Sequence, residues 1–492
     1  MQLISTRDNH TPVSAAEAIR LGMVPGGGLF VPEAFPSYLP ADLVGKPYGE
    51  LAEEIFSLYL TDYSQAEIAG MVKNAYLSGN FPANPAPVVR AGNDYLLELW
   101  HGPTAAFKDM ALQILPYELT LAVQKTNAAK ETVILVATSG DTGKAALEGF
   151  RDVPGVSIIV FYPAEGVSEV QKLQMITTAG MNTAVVAVEG NFDDCQTAVK
   201  QVFADSALNQ RFASAGKQFS SANSINWGRL LPQIVYYYHG YSQMVAQGAV
   251  RAGGKINICV PTGNFGNILA AYYAKRMGLP VANLICASNE NKVLADTIST
   301  GLYDRRRPFY RTDSPSMDIL VSSNFERFFF EMTGRNGAAT AQAFGDLRDQ
   351  GSFSNSLAFE HWKPFLHGGC CNDAEGRACI ARMWRENHYL ADPHTAVALA
   401  VAASYRQHSG DRTPVLTAST ASPFKFPEAV LAALGETDIP TDSQALLEKL
   451  SSLSGLPVHP ALQGLQQKQV RHHRRIEKEE IPATIAEICL GK

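Results

Sequence analysis

The sequence between about Thr132 and Phe203 alternates short apolar runs with helical patterns, and this alternation is the strongest constraint on the fold. Three runs have the composition of β-strands: Thr132–Thr138 (TVILVAT), Val156–Phe161 (VSIIVF) and Thr183–Val188 (TAVVAV). Each is followed by a helical pattern: Lys144–Phe150, Ser168–Ala179 and Phe192–Phe203. Because these strands are apolar along most of their length, both of their faces are expected to be buried. The pattern predicts a parallel sheet with helical crossovers.

A second alternating set follows a long helical pattern at Trp227–Ala246. Its members are the strand Lys255–Val260, the helix Gly266–Met277, the strand Asn283–Ala287 and the short strand Pro414–Thr417. The polar segment Asp304–Met317 is predicted to be a loop, and Ala374–Gln407 is predicted to be helical with a break at Asp392-Pro393. Two such sets predict the α/β class, with two open, mostly parallel sheets and helical additions at both ends.

These patterns divide the 492 residues into four parts. Residues 1–85 are expected to form an N-terminal helical segment, and residues 86–250 an α/β domain with a smaller unit at about 130–220. Residues 251–435 are expected to form a second α/β domain, and residues 436–492 a C-terminal helical extension. Within that extension, the basic and then acidic block Arg471–Glu480 is typical of a solvated helix with i,i+4 ion pairs.

Composition and charge exclude several classes of protein. With 46% hydrophobic and 18% charged residues, the chain can build more than one large core. Its net charge of −6 offers no general attraction for nucleic acid or for an anionic membrane surface. Neither a signal peptide nor a membrane-spanning run is recognisable, and the seven cysteines include no CxxC pair. We therefore expect a cytoplasmic protein without a metal site.

The segment His101–Asp109 (HGPTAAFKD) places a lysine, Lys108, at a predicted helix start. Helix N-termini favour anions, so this position disfavours the protonated form of the lysine. A surrounding of small and aromatic residues would lower its pKa further and favour a neutral, nucleophilic amine. An ordinary surface lysine beside a capping aspartate is the competing interpretation.

Two glycine-rich segments each follow a predicted strand and open a predicted helix. They are Ser139-Gly140-Asp141-Thr142-Gly143 and Pro261–Asn267 (PTGNFGN). Glycine lets the backbone approach a ligand closely, and free N–H groups at a helix start attract carboxylate or phosphate. Ligands also bind outside the carboxyl ends of parallel strands. The first segment suits a carboxylate, although Asp141 could simply cap its helix; the second matches neither Walker A nor GxGxxG and is interpreted as a phosphate cradle.

The segment Ser419–Phe426 (STASPFKF) follows the predicted strand Pro414–Thr417. A hydroxyl at the end of a strand, such as that of Thr420, can hydrogen-bond a heterocyclic nitrogen. Considered by itself, the segment is better explained as the cap of a helix that starts near Pro427.

A reactive lysine, a carboxylate loop and a phosphate cradle together suggest an enzyme with lysine-bound pyridoxal phosphate. Four motifs then carry a family resemblance: HGPTAAFKD with Lys108, ATSGDTG at Ala137–Gly143, SANSINWGR at Ser221–Arg229 and PTGNFGN at Pro261–Asn267. In this order they resemble the long-chain form of the threonine synthase family, among the fold-type II pyridoxal phosphate enzymes. The resemblance spans about Met1 to Phe426. It implies a tryptophan synthase β-like fold and the conversion of O-phospho-L-homoserine and water into threonine and phosphate.

The same resemblance implies a role for each motif. Lys108 would be the Schiff-base lysine and the proton carrier, and Thr420 would contact the pyridine nitrogen. The cofactor phosphate is expected on five residues of the cradle: Gly263, Asn264, Phe265, Gly266 and Asn267. The substrate carboxylate is expected on Ser139, Gly140, Asp141 and Thr142. The substrate phosphate is expected on Ser221, Asn223, Asn226 and Arg229, in a protein that acts as a monomer or a homodimer.

Three positions depart from the family pattern. Ala105 stands where a larger aliphatic residue is usual. Ser422 stands where relatives commonly carry histidine in a Thr-Ala-His-Pro pattern, with Phe424 where a small residue is usual, and these departures bear on the role of Thr420. Two alternatives stay open: another fold-type II lyase, such as an amino-acid dehydratase or a phospho-lyase acting on a different amine, and a non-catalytic relative that uses the fold for binding. The presence of Lys108 argues against the latter, because a binding protein needs no reactive amine.

Overall fold

A computed structural model describes residues 1–128, 130–138, 140–165, 167–190 and 192–491 of the protein. The elements of the first 125 residues are β1 (Leu3–Ser5), α1 (Ala15–Leu21), β2 (Phe30–Pro32), α2 (Tyr48–Tyr59), α3 (Gln65–Val72), β3 (Val88–Ala91), β4 (Asp94–Glu98), α4 (Asp109–Leu112) and α5 (Leu115–Lys125). Helix α3 begins with a capping box, in which the side chains of Ser64 and Glu67 each accept from the backbone N–H of the other residue. The predicted N-terminal helices form, and the strand pair β1–β2 joins them.

The next region carries the alternation that dominates the sequence. Its elements are β5 (Glu131–Ala137), α6 (Asp141–Phe150), β6 (Val156–Pro163), α7 (Glu169–Ile176), β7 (Thr183–Val188), α8 (Phe192–Ala204), α9 (Ser206–Ser214) and β8 (Lys217–Ser221). The three predicted strands and the helices between them are confirmed. Strand β6 is buried at seven of its eight positions, as a strand covered on both faces requires.

The second alternating set begins with α10 (Trp227–Leu230), α11 (Pro232–Ala246), β9 (Ile256–Pro261), α12 (Gly266–Arg276), β10 (Val281–Ser288) and α13 (Val293–Thr300). The single helix predicted for Trp227–Ala246 is therefore two helices. The reason is Pro232, which lacks a backbone N–H and occupies the first position of α11. Leu231, directly before it, is the boundary residue of both helices.

The remaining elements are β11 (Leu302–Asp304), α14 (Phe325–Met332), α15 (Gly337–Asp349), β12 (Ser352–Ser354), α16 (Ser356–Trp362), β13 (Leu366–Cys370), α17 (Asp373–Asn387), α18 (Pro393–Ser409), β14 (Val415–Ser419), α19 (Pro427–Ala433), α20 (Ser443–Ser454), β15 (Arg474–Ile476) and α21 (Ile481–Leu490). The predicted break at Asp392-Pro393 is confirmed, because the Asp392 carboxylate caps α18. The predicted loop Asp304–Met317 is irregular except at its two ends. Among helices of the described ranges, none is long and apolar enough to cross a membrane.

Two large sheets organise these elements. One has six strands in the order β13-β10-β9-β14-β4-β3 and is parallel except for the antiparallel pair β3–β4. The other has five strands in the order β15-β7-β6-β5-β8, all parallel. The predicted α/β class with two mostly parallel sheets is therefore confirmed. One buried apolar cluster joins the N-terminal helices, α11 and both sheets, through residues such as Leu51, Ile134, Tyr236 and Ile258.

The sheets divide the chain differently from the predicted boundary at residue 250. Strands β3 and β4 precede the five-stranded sheet in the chain, yet β4 pairs in parallel with β14, more than 300 residues later. Residues 131–221 thus form the body of one sheet, inserted between strands of the other. The short strands β3 and β4 lack a long apolar run, so local patterns did not reveal them.

The C-terminal extension also differs from the expectation. The block Arg471–Glu480, predicted to be a solvated helix, contains strand β15, which completes the five-stranded sheet beside β7. Arg475 forms an ion pair with Glu189 at the end of that sheet. Helix α21 then buries Ile481 and Ile485 in the same apolar cluster as the strands. Ladder hydrogen bonds and this apolar contact override the local preference of the charged block for a helix.

Helix α6 packs so closely against Leu112 that position 149 has no room for a side chain. A Cβ atom at Gly149 would lie 2.0 Å from the carbonyl oxygen of Leu112. We expect Gly149→Ala to lower the free energy of unfolding by about 2 kcal/mol or more, because α6 must move away from α4, which carries Leu112. The control is Gly70→Ala in α3, where a Cβ meets nothing within 4 Å. It should leave stability unchanged or raise it by about 0.5–1 kcal/mol. Equal urea midpoints for the two variants would contradict this packing account.

Candidate active site

A cavity of about 930 Å³ lies where the carboxyl ends of strands from both sheets meet. Its wall includes Lys108, Thr138 and Thr142 after β4 and β5, the segment 262–267 after β9, and Thr420 after β14. The N-terminal segment also reaches the cavity, through residues that include Arg7, Gly27 and Gly28. All four family motifs line this cavity, and Thr420 of the segment Ser419–Phe426 lines it as well. They converge at one place, as ligand sites of open α/β sheets do.

Lys108 stands at the start of α4 with its side chain buried. Its Nζ lies 3.1 Å from Oδ2 of Asp141 and 3.4 Å from Oγ of Ser316. Burial lowers the pKa of Lys108, and the positive charges of Lys425 and Arg229 lower it further, while Asp141 raises it. The lowered pKa agrees with the sequence expectation, but burial rather than the dipole of the short helix α4 is its main cause.

The loop that carries Lys108 is tied to the loop after β14. The N–H of Phe107 donates to the carbonyl of Thr420 at 2.8 Å, and the N–H of Ser422 donates to the carbonyl of Ala105 at 3.1 Å. Two of the positions that depart from the family pattern, Ala105 and Ser422, are therefore hydrogen-bonded neighbours. Ala105 has φ of 61° and is fully buried, in a backbone region that disfavours larger side chains. The Ser422 hydroxyl accepts from the N–H of Phe424 and caps a short turn.

The glycine-rich segment after β9 presents a row of free backbone donors. Within the described ranges, no acceptor contacts the N–H groups of Gly263, Asn264, Phe265, Gly266 or Asn267. Phe265 has φ of 62° at the start of α12, which turns successive N–H groups toward one point. A Cβ at Gly263 would lie 2.6 Å from the carbonyl oxygen of Ser316, so only glycine fits there.

The side chain of Asn267 adds a donor to this cradle. Its Oδ1 accepts from the hydroxyl of Tyr237, which fixes the orientation of the amide. Its Nδ2 is buried and has no acceptor among the described residues. A buried donor without a partner is costly, and a bound anion would satisfy it. The cradle therefore fits a phosphate group, as the sequence predicted from its glycines.

The glycine-rich segment after β5 is only partly as predicted. The N–H groups of Gly140 and Gly143 each donate to the hydroxyl of Thr138 at 2.9 Å. Gly140 is therefore not a free donor for a substrate carboxylate, which corrects the expectation for it. The N–H groups of Asp141 and Thr142, at the start of α6, have no acceptor in the part of the chain that the structure describes. Ser139, the fourth expected residue, lies outside the described residues.

Arg229 is a buried cation that lines the same cavity. It is 3% exposed, and its Nη1 donates to the carbonyl of Ala222 at 2.8 Å, while its Nε is buried without an acceptor. Burial lowers its pKa to about 10. Among the described residues, no carboxylate forms an ion pair with it. Asn223 lines the same cavity. A buried arginine with an unsatisfied donor and no carboxylate partner fits an anion better than a structural role.

Of the two other residues expected to bind the substrate phosphate, Asn226 is fully engaged elsewhere, which corrects the prediction for it, and Ser221 already accepts one hydrogen bond. Both side-chain groups of Asn226 are used: Nδ2 donates to the carbonyls of Ile19 and Ser221, and Oδ1 accepts from the N–H of Gly228. The hydroxyl of Ser221 accepts from the N–H of Asn223. Asn226 is therefore a helix cap that also holds the N-terminal segment, and Ser221 supports the turn that carries Asn223.

Several site residues were missed by sequence reasoning. The hydroxyl of Ser316 faces Lys108, and the Ser316 N–H donates at 3.1 Å to Nε2 of His394. His394 is oriented in turn by Asp392, whose Oδ1 lies 2.9 Å from its Nδ1. The Asp392-Pro393 pair predicted a helix break, but no local pattern predicts that the next residue reaches a loop almost 80 positions earlier. Lys425 belongs to the segment Ser419–Phe426, where sequence reasoning gave it no role, and it contacts Asp141.

Three family models match the chain. A model described as the threonine synthase N terminus covers residues 2–76, a model of pyridoxal-phosphate dependent enzymes covers residues 82–343, and a model of the threonine synthase C-terminal region covers residues 395–475. The middle model alone spans more than half of the 492 residues. Its limits include Lys108, both glycine-rich segments and Arg229.

Individual proteins agree with these models. The human protein "Threonine synthase-like 1" is 41% identical over 93% of this chain, which spans 64% of the length of that relative. A threonine synthase of Pseudomonas aeruginosa is 38% identical over 93% of this chain and 96% of its own. The crystal structure of a pyridoxal phosphate-bound threonine synthase from Brucella melitensis has a TM-score of 0.85 at 33% identity and covers 99% of both chains. The chain therefore belongs to the threonine synthase family of pyridoxal phosphate-dependent enzymes.

Proposed function

We propose that the protein is a threonine synthase, which converts O-phospho-L-homoserine and water into L-threonine and phosphate with pyridoxal phosphate as cofactor. One observation carries the proposal: a buried lysine lies in one cavity with two separate anion sites. One is the backbone cradle after β9, and the other is Arg229, which has no carboxylate partner among the described residues. A reaction in which cofactor and substrate each carry a phosphate needs two such sites. The threonine synthases among its relatives support the same assignment.

The cofactor would be held by groups that the cavity already presents. Its phosphate would accept from the N–H groups of residues 263–267 and from Nδ2 of Asn267. Thr420, at the carboxyl end of β14, would contact the ring nitrogen, and Lys108 would bond to the cofactor through its amine. When bound, pyridoxal phosphate supplies an electron sink for charge that develops on carbon.

Lys108 is proposed to handle the protons of the reaction. Its lowered pKa favours a neutral amine, which can accept a proton at Nζ from the α-carbon of the substrate and return it at a later step. The lysine stays tethered to α4 within the cavity, so one base can serve several steps. Ser316, 3.4 Å from Nζ, is placed to orient the amine between those steps.

The substrate would be held at its two charged ends. Its carboxylate would accept from the N–H groups of Asp141 and Thr142 at the start of α6. Its phosphate would accept from the guanidinium of Arg229 and from Nδ2 of Asn223. An amino-acid dehydratase, the main alternative, acts on a substrate without a phosphate and needs no second site of this kind. We further propose that the protein acts in the cytoplasm, as a monomer or a homodimer.

A substrate comparison tests the proposal. The protein loaded with pyridoxal phosphate is supplied with O-phospho-L-homoserine, L-threonine and L-serine, and phosphate, threonine and keto acid are measured. We expect phosphate release from O-phospho-L-homoserine, with little keto acid from the two amino acids. Rapid keto-acid formation without turnover of O-phospho-L-homoserine would favour a dehydratase instead. Binding of the cofactor without turnover of any of the three would favour a non-catalytic relative.

A further inference from the structure

A second buried lysine contacts the active-site aspartate from the other sheet. The side chain of Lys425 is fully buried, its Nζ lies 2.8 Å from Oδ1 of Asp141, and it also donates to the carbonyl of Thr104 at 2.9 Å. Lys425 follows β14 of the six-stranded sheet, whereas Asp141 begins the helix that follows β5 of the five-stranded sheet. The ion pair therefore joins the two halves of the site.

Asp141 has more positive charge around it than neutrality requires. Its Oδ1 accepts from Lys425 and from Nε2 of Gln171 at 2.8 Å, while its Oδ2 faces Lys108 at 3.1 Å. Burial alone would raise the pKa of Asp141, but the two ammonium groups outweigh burial and hold it well below its usual range. The carboxylate thus stays ionised and has two counter-ions.

The proposed reaction requires Lys108, but not Lys425, to change its protonation state. Lys108 must be neutral whenever its amine acts as a base, and at those moments it no longer balances the charge of Asp141. A buried carboxylate without a counter-ion is strongly unfavourable, and it would also repel a substrate carboxylate bound at the start of α6. Lys425 forms its ion pair with Asp141 alone among the described residues. Burial raises the pKa of the Asp109 carboxyl and the charge of Lys425 acts to lower it, but no ion pair joins those two residues.

We propose that Lys425 is a positioning residue of the active site: it is the permanent counter-ion of Asp141, which leaves Lys108 free to change its protonation state and lets the loop at the start of α6 receive the substrate carboxylate. This inference rests on the proposed role of Lys108. It assigns a function to the lysine of the SPFKF segment, and it explains why an aspartate is compatible with a loop that binds an anion.

The first test is the pH dependence of the Lys108 amine. The charged groups that face this amine are Asp141, Lys425 and Arg229. Lys425→Met removes a like charge and leaves the carboxylate, so the pKa of Lys108 should rise. Apoprotein is mixed with pyridoxal phosphate across a pH series, and the visible absorbance of the bound cofactor is followed. We expect the midpoint of the binding rate to move up by about one pH unit in Lys425→Met. An unchanged midpoint would overturn the proposal.

The second test is a double-mutant cycle. Lys425→Met leaves the Asp141 carboxylate with Lys108 alone, and Asp141→Asn leaves two buried lysines, Lys108 and Lys425, without that carboxylate. Each single variant should therefore lose about 4 °C in Tm. The double variant Lys425→Met/Asp141→Asn buries neither charge and should regain most of that loss. If Lys425→Met does not fold, a folded double variant gives the same support. Additive losses, or a double variant that does not fold, would overturn the proposal.

Lys144→Met is the matched control. Lys144 lies on α6, and its Nζ forms an ion pair with Glu148 at 2.7 Å, outside the cavity. This variant should not move the pH midpoint of cofactor binding, and a shift as large as that of Lys425→Met would count against a specific role for Lys425. Neither test uses O-phospho-L-homoserine. Coupling between Lys425 and Asp141 without turnover would therefore refute the proposed function alone, and normal turnover without coupling would refute the role of Lys425 alone.

Discussion

Lys108→Ala should abolish turnover of O-phospho-L-homoserine, lowering kcat by at least about 10⁴-fold. The variant loses the amine that is proposed to bond to the cofactor and to accept the α-proton. Ser316, whose hydroxyl lies 3.4 Å from Nζ, cannot replace a base of lowered pKa. The protein should still fold, because alanine removes a buried charge from an ion pair that Lys425 still completes. Rapid-quench measurement of phosphate gives kcat, and circular dichroism gives the folded fraction.

The control for this variant is Lys46→Ala. The side chain of Lys46 is also largely buried, at 7% exposure, and forms an ion pair with Glu54. Both residues lie in the N-terminal segment, outside the four family motifs. It should retain the activity of the unchanged protein. If Lys108→Ala kept more than about one tenth of the original kcat, Lys108 would be neither the cofactor lysine nor the base.

Arg229→Met should separate function from stability. The side chains have similar length, but methionine cannot donate to a phosphate, so kcat/KM for O-phospho-L-homoserine should fall by about 10²–10³-fold. The free energy of unfolding should stay the same or rise, because a buried cation with one carbonyl partner and an unsatisfied Nε is replaced by an apolar group. The two effects are measured by steady-state kinetics and by urea denaturation.

Arg327→Met is the matched contrast. Arg327 is fully buried like Arg229, and burial also lowers its pKa to about 10, but all its donor groups have acceptors: the carbonyls of Phe30 and Ile225 and Oδ1 of Asn324. Its loss should lower the free energy of unfolding by about 3 kcal/mol or more, since three acceptors are left unpaired. If Arg229→Met destabilised the protein as much as Arg327→Met, Arg229 would be a structural residue.

The parts of the fold that were predictable are those with strong local patterns. Strands β5, β6 and β7 are buried on both faces, so nearly every residue is apolar and the pattern is unmistakable. Strand β13 carries His367, Gly368 and Gly369 and has no such pattern. Both glycines are there because a Cβ would clash with Ala295 or Val401, a condition that depends on packing partners far away in the chain. Strand β15 is polar and exists because β7 offers it a free edge.

In the site, too, the features that depend on local sequence were predictable and those that depend on distant contacts were not. The free donors of the cradle after β9 and the place of Lys108 at a helix start could be predicted, because glycines, a strand end and a helix start are adjacent in sequence. Gly140 and Asn226 were assigned to ligands, but their polar groups bond to Thr138, Ile19 and Ser221, which nothing in the local sequence indicates. The contact between Asp141 and Lys425 spans more than 280 residues and was invisible for the same reason.

In the proposed reaction, one cavity binds both phosphates and uses Lys108 to turn O-phospho-L-homoserine into threonine. The most direct measurement is the product balance of purified protein loaded with pyridoxal phosphate and supplied with O-phospho-L-homoserine alone. Phosphate is measured by a colorimetric assay and amino acids by chromatography over the same time course. We expect one threonine for each phosphate released, and neither product from the Lys108→Ala variant. Phosphate release accompanied by a keto acid in place of threonine, or equal turnover by Lys108→Ala, would contradict it.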